Sequence, residues 1–271
     1  MGAATADNPT TTKPETTNPI IRFENVHKRF GPLVVLDGMT LDIPQDRTTV
    51  ILGPSGVGKS VLLKHIVGLL RPDSGKIFYR GKQVDNLSER EMEPIRKRIG
   101  FLFQLGALFD SMRVGDNVAF PIRQQGGKNP AEIQEIVHEK LAVVGMDGTE
   151  KKWPADLSGG QKKRVALARA IAMNPDVVLY DEPTTGLDPI RSDVINELIL
   201  KLKEELNVTG VVVTHDMTSA FKVADQVVML FNGKIVSRGT AEEIRNCADP
   251  NVQRFIQGRA SEEDLRALHR M

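Results

Sequence analysis

Gly53-Pro54-Ser55-Gly56-Val57-Gly58-Lys59-Ser60-Val61 is the stretch that decides the fold, since it fits the pattern G-x-x-x-x-G-K-[ST] and joins two segments of different periodicity. Before it, Thr48-Thr49-Val50-Ile51-Leu52 is a β-branched apolar run that predicts a strand, and residues 61–67 after it read as a helix. Glycines at such a turn let backbone N–H groups converge on phosphate oxygens, and the helix adds the positive end of its dipole. In a loop of this kind Lys59 would reach the β- and γ-phosphates of ATP, and Ser60 would take a Mg²⁺ ion. A plain Gly-rich turn is the bland alternative, and the flanking strand and helix argue against it.

Further on, Val177-Val178-Leu179-Tyr180-Asp181-Glu182 is an apolar run of the kind found in strands buried on both faces, and it ends in two carboxylates. Ligands of open parallel sheets collect at the carboxyl ends of strands. Asp181 is therefore expected beside the hydration shell of the metal, and Glu182 as general base for an attacking water. Ahead of that strand, Leu157-Ser158-Gly159-Gly160-Gln161 opens a helix with a capping box between Ser158 and Gln161. The box accounts for the helix start but not for Gly159 and Gly160, which leave first-turn N–H groups open to a phosphate. Residues 53–60 already cradle the chain's own phosphates, so this second anion-binding start is expected to serve a neighbouring copy. The expectation is a homodimer joined through its ATP sites.

Taken together, these segments resemble the nucleotide-binding subunit of ABC transporters, and the resemblance runs over residues 20–239. It implies that residues 53–60 are the Walker A loop, residues 177–182 the Walker B strand and residues 157–161 the signature motif. Gln104 matches the Q-loop glutamine that senses Mg²⁺ and the attacking water. His215, after Val211-Val212-Val213-Thr214, matches the switch histidine that contacts the γ-phosphate. Thr185-Gly186-Leu187-Asp188 matches the D-loop, with Thr-Gly where many members have Ser-Ala, and Asp188 joins the nucleotide-binding set. Phe30 matches the aromatic on which adenine stacks; its rival reading is an ordinary core residue near a strand end. The implied catalytic residues are Lys59, Gln104, Glu182 and His215, and the implied metal ligands are Ser60, Gln104 and Asp181. The implied fold is α/β: a P-loop NTPase core of the ABC ATPase kind with a mixed sheet, an antiparallel β flank and an inserted helical lobe.

Periodicity supports that organisation. Met39, Leu41 and Ile43 alternate with Thr40 and Asp42, and residues 75–84 read as a further hairpin, which together predict the antiparallel flank. Asn232-Gly233 between two apolar runs is a strong hairpin turn. Ile133, Ile136, Val137, Leu141 and Val144 share one helical face inside a helical lobe expected at residues 105–162. Asp188-Pro189 starts a helix expected to carry Val194, Leu198 and Leu202 inward. Residues 1–18 read as a disordered tail, 19–245 as the ATPase domain and 246–271 as a C-terminal extension.

Composition excludes several classes. Lys plus Arg total 36 against 35 Asp plus Glu, a balance with no electrostatic footprint for nucleic acid. No apolar run approaches the roughly 18 residues of a membrane-spanning helix, so a membrane path is expected in another chain. Cys247 stands alone, which precludes an intrachain disulfide and fits a reducing cytoplasm. No coiled-coil pattern separates Lys59 from Ser158, unlike chromosome and repair ATPases of the superfamily, and only one ATPase module is present, unlike translation-associated members. A soluble, non-transport ABC ATPase is accordingly a minor alternative.

For cargo, Gln104-Leu105-Gly106-Ala107-Leu108-Phe109 and Asp116-Asn117-Val118-Ala119-Phe120-Pro121 resemble the ATPases of MCE-protein phospholipid transport systems, the MlaF-like group. Residues 249–258 are similar to that group's tail. The resemblance implies a dimer on the cytoplasmic face of the bacterial inner membrane, beneath two permease subunits and with an MCE-type lipid-binding protein in the complex. The other readings are an importer ATPase for a polar solute such as an amino acid, and, for Leu105, Leu108 and Phe109, simple packing of the lobe.

Overall fold

The protein is described from a computed structural model covering residues 19–259; the expected N-terminal tail lies outside those residues. The chain opens with long strands β1 (Pro19–Phe30) and β2 (Leu33–Pro44), then β3 (Thr48–Leu52) and helix α1 (Lys59–Ile66). The hairpin of β4 (Ser74–Tyr79) and β5 (Lys82–Gln83) leads through α2 (Glu89–Arg96) to β6 (Ile99–Leu102). Helices α3 (Val114–Gln125), α4 (Pro130–Val143) and α5 (Gly159–Ile171) come before β7 (Val177–Asp181). The remainder runs α6 (Pro189–Leu206), β8 (Thr209–Thr214), α7 (Met217–Val223), the hairpin β9 (Gln226–Phe231) and β10 (Lys234–Gly239), and short helices α8 (Ala241–Arg245) and α9 (Pro250–Ile256).

Two sheets form. A four-stranded antiparallel sheet has the order β2-β1-β4-β5, and a six-stranded sheet has the order β10-β9-β3-β8-β7-β6. In the larger sheet β9, β3, β8, β7 and β6 are mutually parallel and β10 alone is antiparallel. This is the expected mixed sheet with an antiparallel flank. Every residue of β3, β7 and β8 is buried, as a parallel sheet covered on both faces requires.

Alternating side chains of those strands feed two cores. Val50, Leu52, Val178, Tyr180 and Val212 face helices α3 to α7, while Ile51, Leu179, Val211 and Val213 face α1, α2 and the antiparallel sheet. Each such residue contributes about 1.5–3 kcal/mol by leaving water. Asn232 and Gly233 both have positive φ at the β9–β10 turn, the geometry that matches strand twist in a two-residue hairpin.

One expectation fails. Val194 in α6 is 44% exposed, and the inward face is Ile195, Leu198, Ile199 and Leu202. At about 100° per residue the i, i+3, i+4, i+7 stripe begins at Ile195, and Val194 lies one step off it. Past residue 245 the chain continues against the domain: Val252 is buried, and Phe255 meets Phe231 edge-on at 5.8 Å.

Candidate active site at the carboxyl ends of the strands

Parallel register brings four chain segments to one edge of the larger sheet. Leu52 pairs with Thr214, Asp181 with Val213 and Leu102 with Tyr180, so the loops that follow β3, β8, β7 and β6 emerge side by side. Residues 53–60, 215, 182 and 104 therefore share that edge.

The glycine-rich loop is shaped by close approach. A Cβ on Gly53 would sit 2.3 Å from the Leu230 carbonyl oxygen. Gly58, at φ 106, caps α1 in a left-handed conformation, and a Cβ there would meet Val35 at 2.6 Å. Lys59, only 6% exposed, donates from Nζ to the carbonyls of Gly53 at 2.7 Å and Pro54 at 3.0 Å, and lies 3.5 Å from Glu182 Oε1. Burial lowers the pKa of its ammonium, while the Glu182 carboxylate opposes that fall. Ser60 Oγ donates to Asp181 Oδ1 at 2.7 Å. Burial raises the Asp181 pKa, the Ser60 hydrogen bond pulling the other way.

Glu182 is the centre of the arrangement. Its φ is +49, a region that side-chain-bearing residues seldom occupy, and its N–H donates to the Val213 carbonyl at 2.9 Å. His215 Nδ1 stands 2.9 Å from Glu182 Oε2, and the Thr185 and Thr214 hydroxyls donate to the same oxygen at 3.2 and 3.3 Å. A buried carboxylate is thus fixed between an ammonium, an imidazole and two hydroxyls, with His215 half exposed at its mouth. Such a group is positioned to take a proton from a water entering beside Lys59.

The other expected residues sit apart from this cluster. Gln104 is exposed on the loop after β6, following Phe103, which stacks on Phe101 at 4.2 Å. Phe30 ends β1 at 45% exposure, with the Lys28 ammonium 5.6 Å from its ring centre, so it is not a core residue. Ser158 caps α5 and forms the capping box with Gln161, as expected. Gly159 is open, but Gly160 is buried with Arg191 3.4 Å from where its Cβ would be; only one of the two glycines is bare. Asp188 caps α6 beside that helix start, accepting from the Arg191 N–H and pairing with its side chain at 3.2 Å. Among the described residues no hydrogen bond joins residues 158–161 to the chain's own glycine-rich loop.

Several groups at the site went unread in the sequence. Thr185 belongs to the D-loop match and Thr214 to the run before His215, and neither motif points to the contact that both make with Glu182. Asp216 accepts from Thr184 at 3.2 Å and Ser219 at 2.6 Å, tying the loop after Glu182 to the one after His215. Lys163 is buried in α5. It was detectable, because Gly160, Lys163, Leu167 and Ile171 fall on one helical stripe and the other three are small or apolar.

Comparison with known proteins agrees with this geometry. The ABC transporter family profile matches residues 36–185. The chain is 43% identical to the probable ribonucleotide transport ATP-binding protein mkl of Mycobacterium leprae, covering 88% of this chain and 69% of that protein. It is 42% identical to the intermembrane phospholipid transport system ATP-binding protein MlaF of Haemophilus influenzae, covering 88% and 90%. Among solved structures, a dimeric post-hydrolysis state of the ATP-binding cassette MJ0796 bound to ADP and Pi superposes with a TM-score of 0.75 at 32% identity, covering 82% of this chain and 98% of that one. With the glycine-rich loop, the carboxylate pair and the capped signature helix all in place on this fold, the chain belongs to the ABC transporter family, as one of its ATP-hydrolysing subunits.

Proposed function

We propose that this chain powers phospholipid transport between bacterial membranes, working as a homodimer on the cytoplasmic face of the inner membrane beneath two permease subunits and an MCE-type lipid-binding protein. The observation that carries the cargo is the 42% identity over 90% of the MlaF chain, a likeness that extends through the lobe as well as the ATPase motifs. The mkl relative, named for ribonucleotide transport, supplies the competing cargo. Purifying the intact complex and analysing bound small molecules by mass spectrometry tests the choice: co-purifying phospholipid is expected, and ribonucleotide without lipid would overturn it.

Within each ATP site the N–H groups of the loop other than Pro54 and the Lys59 ammonium hold the β- and γ-phosphates. The adenine stacks on Phe30, which is exposed enough to receive it. Glu182 accepts the proton of the attacking water, with Gln104 orienting that water and His215 donating toward the γ-phosphate. Ser158, Gly159, Gly160 and Gln161 of a second copy close the site from the other side, next to Asp188. Mg²⁺ fits the donors present: Ser60 and Asp181 offer hard oxygens, and Gln104 stands on the adjoining loop. Among the described residues no cluster of three acidic, His or Cys side chains could cage a metal alone, as suits an ion that keeps waters and substrate phosphates as ligands. When bound it neutralises charge on the phosphates and would relieve the raised Asp181.

Lys59→Ala should lower ATP affinity and turnover together, since a buried cation that now rests on loop carbonyls has no substitute near the phosphates. Unchanged affinity in a fluorescent-ATP titration would remove Lys59 from the site.

Coupling to the permease falls to the chain after Gln104. Leu105 is 88% and Phe109 40% exposed, and Phe109 leans on Phe120 at 4.8 Å. The buried Asn117 side chain holds that segment by accepting from the Phe109 N–H and donating to the carbonyls of Phe109, Met112 and Arg113. Apolar groups presented on a rigid loop suit a short amphipathic helix of the partner. Phe109→Asp should cut permease pull-down severely while leaving the thermal melt nearly unchanged. A collapsed melt would instead make Phe109 a packing residue.

A further inference from the structure

The signature helix α5 buries one charge that the hydrolytic reading does not use. Lys163 is 6% exposed, and its Nζ donates to the carbonyls of Pro183 and Thr185, each at 2.7 Å, with the Glu182 carbonyl at 3.4 Å. The ammonium thus touches backbone alone. The three oxygens belong to the turn that leaves β7, and the first residue of that turn is Glu182, held at φ +49. A side-chain-bearing residue stays in that region only where its surroundings over-determine it. The Val213 carbonyl grips the turn from β8 through the Glu182 N–H, and Lys163 grips it from α5 through its carbonyls. Burial takes the Lys163 amine down to about 8, with the Glu182 carboxylate opposing the fall.

We propose that Lys163 is a positioning residue for ATP hydrolysis: clamped on the carbonyls of residues 182, 183 and 185, it fixes the Glu182 carboxylate to the helix that begins at Ser158. The proposal rests on the reading of Glu182 as general base. Its consequence is mechanical. Ser158 starts the same rigid helix about 7 Å along the axis from Lys163, so any shift of the signature end moves the turn that carries the base. One chain then links the ATP site it completes for its partner to the glutamate of its own site.

Lys163→Met keeps the length and apolar stem but removes every donor. In the full chain it should keep fluorescent-ATP affinity within about twofold while kcat falls about 10²-fold, the size expected when a catalytic group is displaced by an ångström. In a Glu182→Gln background, followed by single-turnover hydrolysis, the same substitution should cost nothing further, because the group it positions is gone. Lys163→Gln, which retains two N–H donors, should recover part of the lost kcat, and it carries the same cycle if the Met variant does not fold. An unchanged kcat in a folded variant overturns the proposal, and so does an equal loss in both backgrounds. Near wild-type turnover by Glu182→Gln alone is a different result and would remove the base itself.

Discussion

Glu182→Gln should leave ATP binding intact and slow turnover by about 10²–10⁴, equivalent to about 3–5 kcal/mol of lost transition-state stabilisation. The substitution exchanges a carboxylate for an amide of the same shape. Lys59 keeps its bonds to the Gly53 and Pro54 carbonyls, and Ser60 keeps its bond to Asp181, so the phosphate contacts are untouched. Contacts that Glu182 now accepts from Thr185, Thr214 and His215 can be met by the amide oxygen. The basicity is removed, and with it the negative charge 3.5 Å from the Lys59 ammonium, whose two carbonyl bonds remain. A steady-state assay beside a nucleotide titration checks this, and turnover near the wild-type rate would show that the proton goes elsewhere.

The second large effect is expected at Ser158→Arg. Ser158 caps α5, no hydrogen bond among the described residues joins it to the chain's own glycine-rich loop, and Ser158 and Gly159 are exposed. In the two-sided site proposed above, a long cation there would fill the space that the γ-phosphate of a neighbouring copy takes. Each chain should still bind ATP at residues 53–60 with ordinary affinity, and hydrolysis should fall to background. Loss of the cap costs about 1 kcal/mol, which a melt can separate from loss of activity. Normal hydrolysis by the folded variant would mean that one chain suffices for the reaction.

How far the sequence could be read follows from where each constraint originates. The glycine-rich loop, the fully apolar runs of β3 and β7 and the Asn232-Gly233 turn each declare themselves within a few residues, because backbone sterics and two-sided burial act locally. That Lys59, Ser60, Asp181, Glu182 and His215 would meet was legible from motif order, since carboxyl ends of parallel strands converge. Val194 was misplaced because a helix whose apolar residues are not confined to one stripe allows two neighbouring faces, and only the sheet it packs on chooses between them. The left-handed Glu182 was not legible, and of Lys163 only the burial was, from its helical stripe, not the carbonyls it clamps. Both depend on which carbonyls a turn presents to a helix far along the chain.

The central claim is that each ATP site is closed by a second copy of the chain. Light scattering on purified Glu182→Gln, with and without ATP and Mg²⁺, tests it most directly, because blocked hydrolysis holds the closed state. The account predicts the mass of one chain without nucleotide and of two chains with it, and no such doubling once Ser158→Arg is added. A Glu182→Gln protein that binds ATP and keeps the mass of one chain would contradict it.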